Sequence, residues 1–236
     1  MTRHKCGIIR NFTPKIPLHG LQCHAIARRL APDGLSRPVS YYCKLYASRQ
    51  AYIDGWEHYV KQTYRNRCII ASPHGRQALT VPIERNDPSH TAVRDIRLSN
   101  HGNWRHLHWQ ALVTAYDASP YFEYYADDLR PVLERPYTYL LDLNEALRDT
   151  VCRLLDLQPR VRLTDHYEPT PDALDCRTLI SPKNKREDPS FRPVPYYQVF
   201  QSRHGFMPDL SIVDLLFNMG PEALLVLRDS TAATAL

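Results

Sequence analysis

Glycine is scarce in this sequence, and the scarcity limits the folds and sites that the chain can build. Only 8 of the 236 residues are Gly, whereas 19 are Pro. Gly adopts positive φ most easily, while Pro restricts the backbone of its own position and of the one before it. The sequence contains no GxGxxG, GxxxxGK[ST] or GxSxG pattern. It therefore argues against a dinucleotide-binding fingerprint, a P-loop and the nucleophile elbow of an α/β hydrolase.

The overall composition is that of an ordinary globular protein. Hydrophobic residues make up 43% and charged residues 23%, and a chain of this length can form one large domain or two small ones. No apolar run approaches the ~18 residues of a membrane span. The net charge of +5 comes without a run of like charges, so nucleic acid is not an expected partner.

The six cysteines are widely separated and include no CxxC pair. No secretory segment precedes them, so a disulfide framework is not indicated. We therefore expect free thiols in a reducing compartment and a soluble, cytoplasmic protein. No pattern in the sequence identifies a cofactor or an oligomeric state.

The first half of the chain predicts most of the β structure. Residues 51–53 are typical of a short strand. Two β-prone runs, 67–72 and 78–83, flank a Pro73-His74-Gly75 turn and predict a hairpin. Residues 93–98 alternate apolar with charged side chains, which predicts a strand with one face in solvent.

The middle of the chain predicts three helices. Asn103 is placed to cap the first, over 104–117, with Leu107 on its apolar face. A second helix follows and is limited by Pro131. The third, over 139–155, has leucines at helical spacing along one face. Together they form a helical layer.

The last third of the chain predicts a long loop and a closing helix. Short strands at 161–163 and 178–180 lie within the loop. Ser211 can cap a helix over 212–219, and Gly220 follows at the position where a helix commonly ends. The final stretch is also typical of a helix.

These patterns predict a mixed α/β class, with an N-terminal β-hairpin and sheet region packed against a helical layer and a C-terminal capped helix. Periodicity assigns side chains to faces, not strands to neighbours, so the topology stays undetermined. Residues 1–37 are basic and interrupted by Pro, which predicts an irregular N-terminal extension. Residues 38–229 form the α/β domain, and 230–236 a frayed tail.

Several strings in the sequence resemble the WbqC-like protein family, and they occur in the family's order from Pro38 onward. They are Tyr59-x-Lys61-x-x-Tyr64-x-Asn66-Arg67, Leu79-Thr80-Val81-Pro82 after a Gly-containing turn, Tyr197-Gln198, and Phe206-x-Pro208-x-Leu210-Ser211-Ile212-x-Asp214-Leu215-Leu216-Phe217-Asn218-x-Gly220.

The resemblance implies a bacterial protein associated with O-antigen and other surface-polysaccharide loci. It also implies a role in transferring glycine or another acyl group onto an amino sugar. The chain departs from the family pattern before Tyr59, where Gly55, Trp56 and His58 stand in place of an acidic pair and a Gln. If those acids take part in the family's reaction, this branch does something else.

A basic segment precedes the first hairpin strand and is the first candidate for substrate binding. Lys61, Arg65 and Arg67 lie with Asn66 within seven residues. Arg can hold phosphate or carboxylate through two parallel hydrogen bonds, and Lys adds a point charge. The segment would suit a nucleotide-sugar pyrophosphate or an acyl donor; the alternative is a solvated loop.

Histidines on the first predicted helix are candidates for acid–base chemistry. His106 or His108 could act as general base toward an amine, because imidazole titrates near neutrality. On a helix the two lie about 200° apart, so they cannot bind one metal together. No metal site is predicted, and a structural, hydrogen-bonded role is the alternative for either residue.

A second group of candidates lies in the long loop and after it. Asp175 is a candidate catalytic carboxylate, and Arg177, Tyr197 and Gln198 could bind substrate from the other wall of a cleft. A carboxylate beside an Arg is also typical of a structural ion pair.

Two hypotheses of function follow. The first is a transferase in surface-polysaccharide biosynthesis that adds a glycyl or acyl group to a nucleotide-linked amino sugar. The second is a non-catalytic protein that binds a glycan precursor or takes part in assembly. Both expect a small-molecule partner, either a nucleotide-linked amino sugar or an acyl donor.

Overall fold

The structure is a computed structural model that describes residues 28–30, 37–84, 90–167, 174–177, 179–182 and 187–232. Its strands are β1 (Arg28–Leu30), β2 (Ala51–Ile53), β3 (Arg67–Ser72), β4 (Gly75–Thr80), β5 (Val161–Leu163) and β6 (Leu174–Asp175). Its α-helices are α1 (Val39–Ala47), α2 (Trp104–Tyr116), α3 (Phe122–Glu134), α4 (Leu140–Leu154), α5 (Gln201–His204), α6 (Ile212–Met219) and α7 (Ala223–Ser230). The mixed α/β class is confirmed.

Four of the strands form one sheet in the order β5-β2-β1-β6, and every pairing in it is parallel. Strands β2 and then β5 extend the sheet on one side of β1, and β6 pairs with β1 on the other side. The carboxyl ends of parallel strands share one edge of a sheet, and the point where the order reverses is where open α/β sheets bind ligands. The segments after β2, β5 and β6 therefore meet at this carboxyl edge.

Strand β1 lies inside the stretch for which the sequence predicts an irregular extension. Arg28 to Leu30 pair with β2 on one side, and the first two of these residues pair with β6 on the other. An interior strand of three residues carries too short a pattern to be seen by periodicity. The division into extension, domain and tail stays a prediction.

The predicted hairpin is confirmed. Strands β3 and β4 pair antiparallel from Arg67 opposite Thr80 to Ser72 opposite Gly75, around the turn at Pro73 and His74. Gly75 has φ of 99°, a conformation that Gly adopts without a steric penalty. Cys68, Ile70 and Leu79 are buried on the core side.

The helical layer is confirmed, with two corrections in α2. Asn103 lies in the left-handed region with φ of 46°, and its side chain makes no capping hydrogen bond. Leu107 is exposed, whereas Trp104, Trp109 and Leu112 are buried. The two Trp side chains offer more apolar surface than Leu107, so the helix turns them toward the core.

Three further predictions on local structure are wrong. A short 3-10 helix, Val93–Asp95, takes the place of the strand at 93–98, because the backbone there is held by the loop after β2. Pro131 lies inside α3, where burial of Leu129 and Leu133 on either side outweighs the lost hydrogen bond. In 178–180, Leu179 and Ile180 lie in a turn and a bend; the strand is β6, a few residues earlier, and Thr178 lies outside the described residues.

The closing helix α6 is the most buried helix of the C-terminal third. Every residue from Ile212 to Asn218 is buried, as its apolar run requires. Ser211 is its N-cap residue but makes no side-chain capping bond, and the Ser211 carbonyl accepts from the Asp214 amide instead. Within the described segments, each helix is too short or too polar to cross a bilayer.

Candidate functional site

Polar side chains from three different segments meet at the carboxyl edge of the parallel sheet. Asp54 directly follows β2, Thr164 directly follows β5, and Arg177 lies two residues after β6. The Arg177 guanidinium contacts the Asp54 carboxylate at 2.6 Å, and the Thr164 hydroxyl donates to the same carboxylate at 3.3 Å. The sheet topology therefore brings together residues that are more than 100 positions apart in the chain.

Arg177 joins two carboxylates at this edge. Its guanidinium donates to both carboxylate oxygens of Asp175, and it also donates to Asp54, which is fully buried. The hydrogen bond to Asp175 is the main cause of a raised pKa at Arg177, opposed by burial. Both carboxylates are paired, so the ion pairs hold the three segments together at this edge. The Asp175 side chain is about one third exposed.

Two partly exposed aromatic rings flank this ion-paired group. Trp56 is 37% exposed, and its indole N–H donates to the Thr164 carbonyl at 3.0 Å. The Arg94 guanidinium lies 4.3 Å from one face of the Trp56 ring. Tyr167 is 51% exposed, with its ring 5.4 Å from the Arg177 guanidinium. Rings fixed in this way can stack on a sugar or a base.

The loop from Asp54 to Asn66 connects the carboxyl edge to the base of the hairpin. It folds back on itself, because the buried Arg65 guanidinium contacts the buried Glu57 carboxylate at 2.6 Å. Lys61 is exposed in the loop. Arg65, predicted to bind substrate, has its charge paired inside the protein, which leaves Lys61 and Arg67 as the cations of the basic segment.

Asn66 and Asn144 hold the base of the hairpin together. The Asn66 side-chain amide donates to the Val81 carbonyl at 2.9 Å, and the Asn144 side-chain amide donates to the Arg65 carbonyl at 3.0 Å. The first turn of α4 also reaches the carboxyl edge, since a Cβ on Gly55 would lie 3.6 Å from Leu141. Helix α4 therefore touches both ends of the loop.

The structure places the two candidate histidines on different sides of α2. His106 is exposed, whereas His108 is buried against the Trp104 ring, with ring centroids 5.2 Å apart. Burial lowers the pKa of His108 to about 4, although a hydrogen bond to the Thr80 backbone acts in the opposite direction. His108 is therefore neutral at pH 7 and accepts a proton only weakly.

Gln198 makes its hydrogen bonds with residues other than Arg177, Asp175 and Asp54, and no hydrogen bond among the described residues joins Tyr197 to these three. The Gln198 side chain is buried, accepts from the Met207 amide at 2.8 Å, and donates to the Met207 carbonyl and to Asp214. Tyr197 is exposed. Gln198 thus has its polar atoms occupied within the protein.

Several polar residues of these sites were missed by sequence reasoning. Asp54 could have been found because it directly follows a strand, and Asn144 because it interrupts the apolar face of α4. Asp214 lies in an apolar run and could have been found in the same way. Glu57 offered no comparable signal, since only its partner Arg65 explains its burial.

The described residues show no metal centre, and three of their cysteine thiols are too weakly acidic to be nucleophiles at neutral pH. No group there of three or more His, Cys, Asp or Glu side chains could hold a metal ion. Burial raises the pKa of Cys43, Cys68 and Cys152 to about 12, so these thiols are protonated at pH 7. An open groove beside the end of α4 is lined by Arg148, Cys152 and neighbouring residues, and it lies at the amino end of β5, opposite the carboxyl edge.

Comparison with known proteins identifies the family of this chain. Residues 38–188 match the WbqC-like protein family. The chain is 30% identical over 189 residues to the uncharacterized protein Rv1507c of Mycobacterium tuberculosis, an alignment that covers 70% of this chain and 81% of that protein. No solved structure matches the chain. The chain therefore belongs to the WbqC-like protein family.

Proposed function

We propose that the protein is a cytoplasmic transferase of surface-polysaccharide biosynthesis, which adds a glycyl or other acyl group to the amine of a nucleotide-linked amino sugar. In this reaction the amine nitrogen attacks the acyl carbon and a C–N bond forms. The bond from that carbon to the donor's leaving group breaks, and the amine loses a proton to a base. The products are the N-acylated sugar and the free leaving group.

The single observation that carries the proposal is the cluster at the carboxyl edge of the parallel sheet. The sheet order reverses between β1 and β6, and Arg177 follows β6 at that point. Trp56 and Tyr167 present partly exposed rings beside it. Open α/β sheets bind ligands at this position, and aromatic rings beside a fixed cation suit a sugar or a nucleotide base.

The candidate residues divide into binding and acid–base roles. Lys61 and Arg67 are proposed to hold the phosphates, because among the described residues neither cation is paired with a carboxylate, whereas Arg65 is. The candidates for the base that accepts the amine proton remain His106, His108 and Asp175. Asp175 is held by Arg177 at the edge itself, so it lies nearest to the proposed sugar subsite.

The test is a mass-spectrometric assay of the purified protein with a panel of nucleotide-linked amino sugars and of acyl and aminoacyl donors. We expect one sugar to gain the mass of one acyl group. Trp56→Ala and Tyr167→Ala should each lower kcat/KM about fivefold, the effect of losing ~1 kcal/mol of ring stacking.

Tyr124→Ala is the matched control, because Tyr124 is an aromatic residue on α3 that is 75% exposed. It should leave kcat/KM unchanged. Absence of any product across the panel would contradict the transferase. An equal loss in Tyr124→Ala would remove the carboxyl edge as the site.

A glycan-precursor-binding protein is the second candidate. It is favoured by the ion pairs of Asp54, Asp175 and Glu57 with Arg177 and Arg65, and by the neutral, weakly basic His108. These features suit recognition more than proton transfer. This candidate predicts that a nucleotide sugar raises the melting temperature of the protein by mass action while no product forms with any donor.

A further inference from the structure

Trp56 and Tyr167 flank the same ion-paired group, yet their rings differ in the charge that lies behind them. The Arg94 guanidinium lies 4.3 Å from the centre of the Trp56 ring, and the Arg177 guanidinium lies 5.4 Å from that of Tyr167. A guanidinium over a ring attracts the π electrons of that ring. The strength of this attraction depends on whether carboxylates cancel the charge of the guanidinium, and the two arginines differ in this respect.

Arg177 is surrounded by two carboxylates. Its guanidinium donates to Asp175 and to Asp54 at 2.6 Å each, and Asp54 is fully buried. Two anions this close to one cation leave no net positive charge behind the Tyr167 ring. The face of Tyr167 therefore keeps the negative potential of an ordinary aromatic ring.

Arg94 keeps most of its charge. Among the described residues, its carboxylate contact is with Asp95 at 3.8 Å, and both side chains are exposed. An exposed ion pair at this distance is weak, because water screens the two charges. The Trp56 ring is thus backed by an effective cation, which draws electron density away from the rest of the ring.

The backbone holds Arg94 over Trp56. The Arg94 amide donates to the Gly55 carbonyl at 3.0 Å. The Val93 amide donates to the Glu57 carbonyl, also at 3.0 Å, so the two segments pair on both sides of Trp56. A Cβ on Gly55 would lie 3.4 Å from the Arg94 Cβ, which shows how closely the segments approach. The stack of guanidinium on indole therefore follows from the pairing of the two segments.

The Trp56 ring is fixed and still accessible to a ligand. Its indole N–H donates to the Thr164 carbonyl and its amide to Asp54, both at 3.0 Å. The residue is nevertheless 37% exposed, although Arg94 covers one face of the ring. Tyr167 is three residues after Thr164, so the Cα atoms of these two residues are within about 11 Å of each other. Rings anchored at this separation can contact different ends of one nucleotide sugar.

The charge behind each ring determines what stacks on it. The C–H groups of a sugar carry a partial positive charge and pack best on the negative face of an aromatic ring. The cation behind Trp56 weakens such a contact, whereas Tyr167 retains it. A nucleobase stacks through its own π face, and arginine beside an aromatic ring adds to that stacking. The two rings therefore differ in the ligand group that each one favours.

We propose that Trp56, backed by Arg94, is the stacking platform for the nucleobase of the substrate, and that the sugar lies against Tyr167. This inference rests on the proposed function and assigns the two ends of its nucleotide-linked ligand. It also places the sugar beside Asp175, the carboxylate that Arg177 holds at the edge.

The first experiment compares the affinities of uridine monophosphate (UMP) and ribose 5-phosphate, which differ by the base. We expect the wild-type protein to bind UMP about tenfold more tightly, the effect of one stacked base. Trp56→Ala should lower this ratio to about one, and Arg94→Met should lower it about threefold by removing the cation behind the ring. Because both ligands carry the same phosphate, their ratio does not respond to a general loss of positive charge.

Arg97→Met is the matched control. Arg97 lies 5.4 Å from the Tyr139 ring, and its side chain is 48% exposed, against 46% for Arg94. Both arginines also have one carboxylate at 3.8 Å. Arg97→Met should leave the affinity ratio unchanged. An equal fall of the ratio in both variants would overturn the role of Arg94.

Tryptophan fluorescence gives a second readout on the wild-type protein, so it does not depend on the folding of a variant. Trp56 is the exposed tryptophan of the three in the chain, since Trp104 and Trp109 are each 5% exposed. UMP should quench the Trp56 emission, and glucosamine should not. The quenching should disappear in Trp56→Phe, which identifies its source.

The outcomes separate this inference from the proposed function. Adenosine monophosphate (AMP) is measured beside UMP, because every base has a π face that can stack. If neither nucleotide binds more tightly than ribose 5-phosphate, or if glucosamine quenches Trp56 and the nucleotides do not, the base platform is wrong while the transferase assay still stands. If a nucleotide binds and quenches but no donor yields a product, the transferase is wrong and the platform remains.

Discussion

At the scale of single residues, the most unusual group is the carboxylate of Asp214 in α6. It is fully buried and accepts hydrogen bonds from the Tyr116 hydroxyl at 2.9 Å, the Tyr196 hydroxyl at 2.7 Å and the Gln198 amide at 2.9 Å. The Tyr116 hydroxyl in turn accepts from the Ala71 amide of the hairpin. Burial nevertheless raises the pKa of Asp214 to about 6, because three neutral donors do not replace the lost hydration.

This pKa predicts a distinct pH dependence of stability. The ordinary pKa of Asp is 3.8, so the folded state binds the proton more tightly than the unfolded state does. The stabilisation of the folded state by protonated Asp214 is fully present below about pH 4. It is lost as the pH rises through about 6, which lowers the free energy of unfolding by roughly 3 kcal/mol. Asp214→Asn cannot titrate and should lack this part of the slope.

Urea unfolding of the two proteins at pH 4, 5, 6 and 7 tests the prediction. The difference in unfolding free energy between wild type and Asp214→Asn should change across this range and level off above it. A difference that is constant with pH would contradict the raised pKa, whatever the absolute stability of the variant.

At the scale of elements, α6 shows how one Gly can be required for two separable reasons. Gly220 ends the helix with φ of 53°, a conformation that costs any other residue energy. A Cβ on it would also lie 2.6 Å from the ring of Tyr121. The Tyr121 backbone is held in place, because its amide donates to the Phe217 carbonyl of α6, so the ring can avoid the added methyl only by leaving its side-chain conformation.

Gly220→Ala is therefore expected to be more destabilising than the matched Gly205→Ala. Gly205 ends α5 with φ of 68°, and a Cβ there meets nothing within 4 Å. The backbone conformation should cost roughly 1–3 kcal/mol in both variants, and the clash roughly 1–3 kcal/mol more in Gly220→Ala alone. Chemical denaturation of both variants measures the difference; equal losses would mean that Tyr121 yields without cost.

At the scale of the whole molecule, a buried ion pair joins the first helix to the segment that follows the long loop. Lys44 of α1 is only 1% exposed, and its ammonium contacts the Asp188 carboxylate and donates to the Ser190 hydroxyl. The same segment lies along the end of α7, where Phe191 bridges Thr231. Residues about 145 positions apart are thus held at one point.

Removing one partner of this pair should cost more than removing both. Asp188→Asn leaves a buried ammonium without a counter-charge, and we expect a loss of about 3–5 kcal/mol. The double variant Lys44→Met/Asp188→Leu removes the charge as well and should recover most of that loss. Urea unfolding of both variants measures this; a double variant as unstable as Asp188→Asn would show that packing, not the unpaired charge, determines the cost.

The sequence by itself determined the elements whose signals are local. The hairpin at β3 and β4 follows from β-prone runs around a turn, and α4 and α6 follow from apolar spacing that each helix can satisfy alone. The basic segment from Lys61 to Arg67 was also visible as residue types in order. Local signals of this kind survive folding because the same side chains bury the same faces in almost any packing.

Only the tertiary structure decided which of those residues share a site. Arg65 is paired by Glu57, Arg177 by Asp54, and His108 is neutralised by burial, and none of these effects follows from spacing along the chain. The exposed side of α2, the helix in place of a strand at Val93–Asp95 and the parallel order of the sheet depend likewise on contacts between distant segments. Burial and pairing set the charge of a group, and both exist only once the chain has folded.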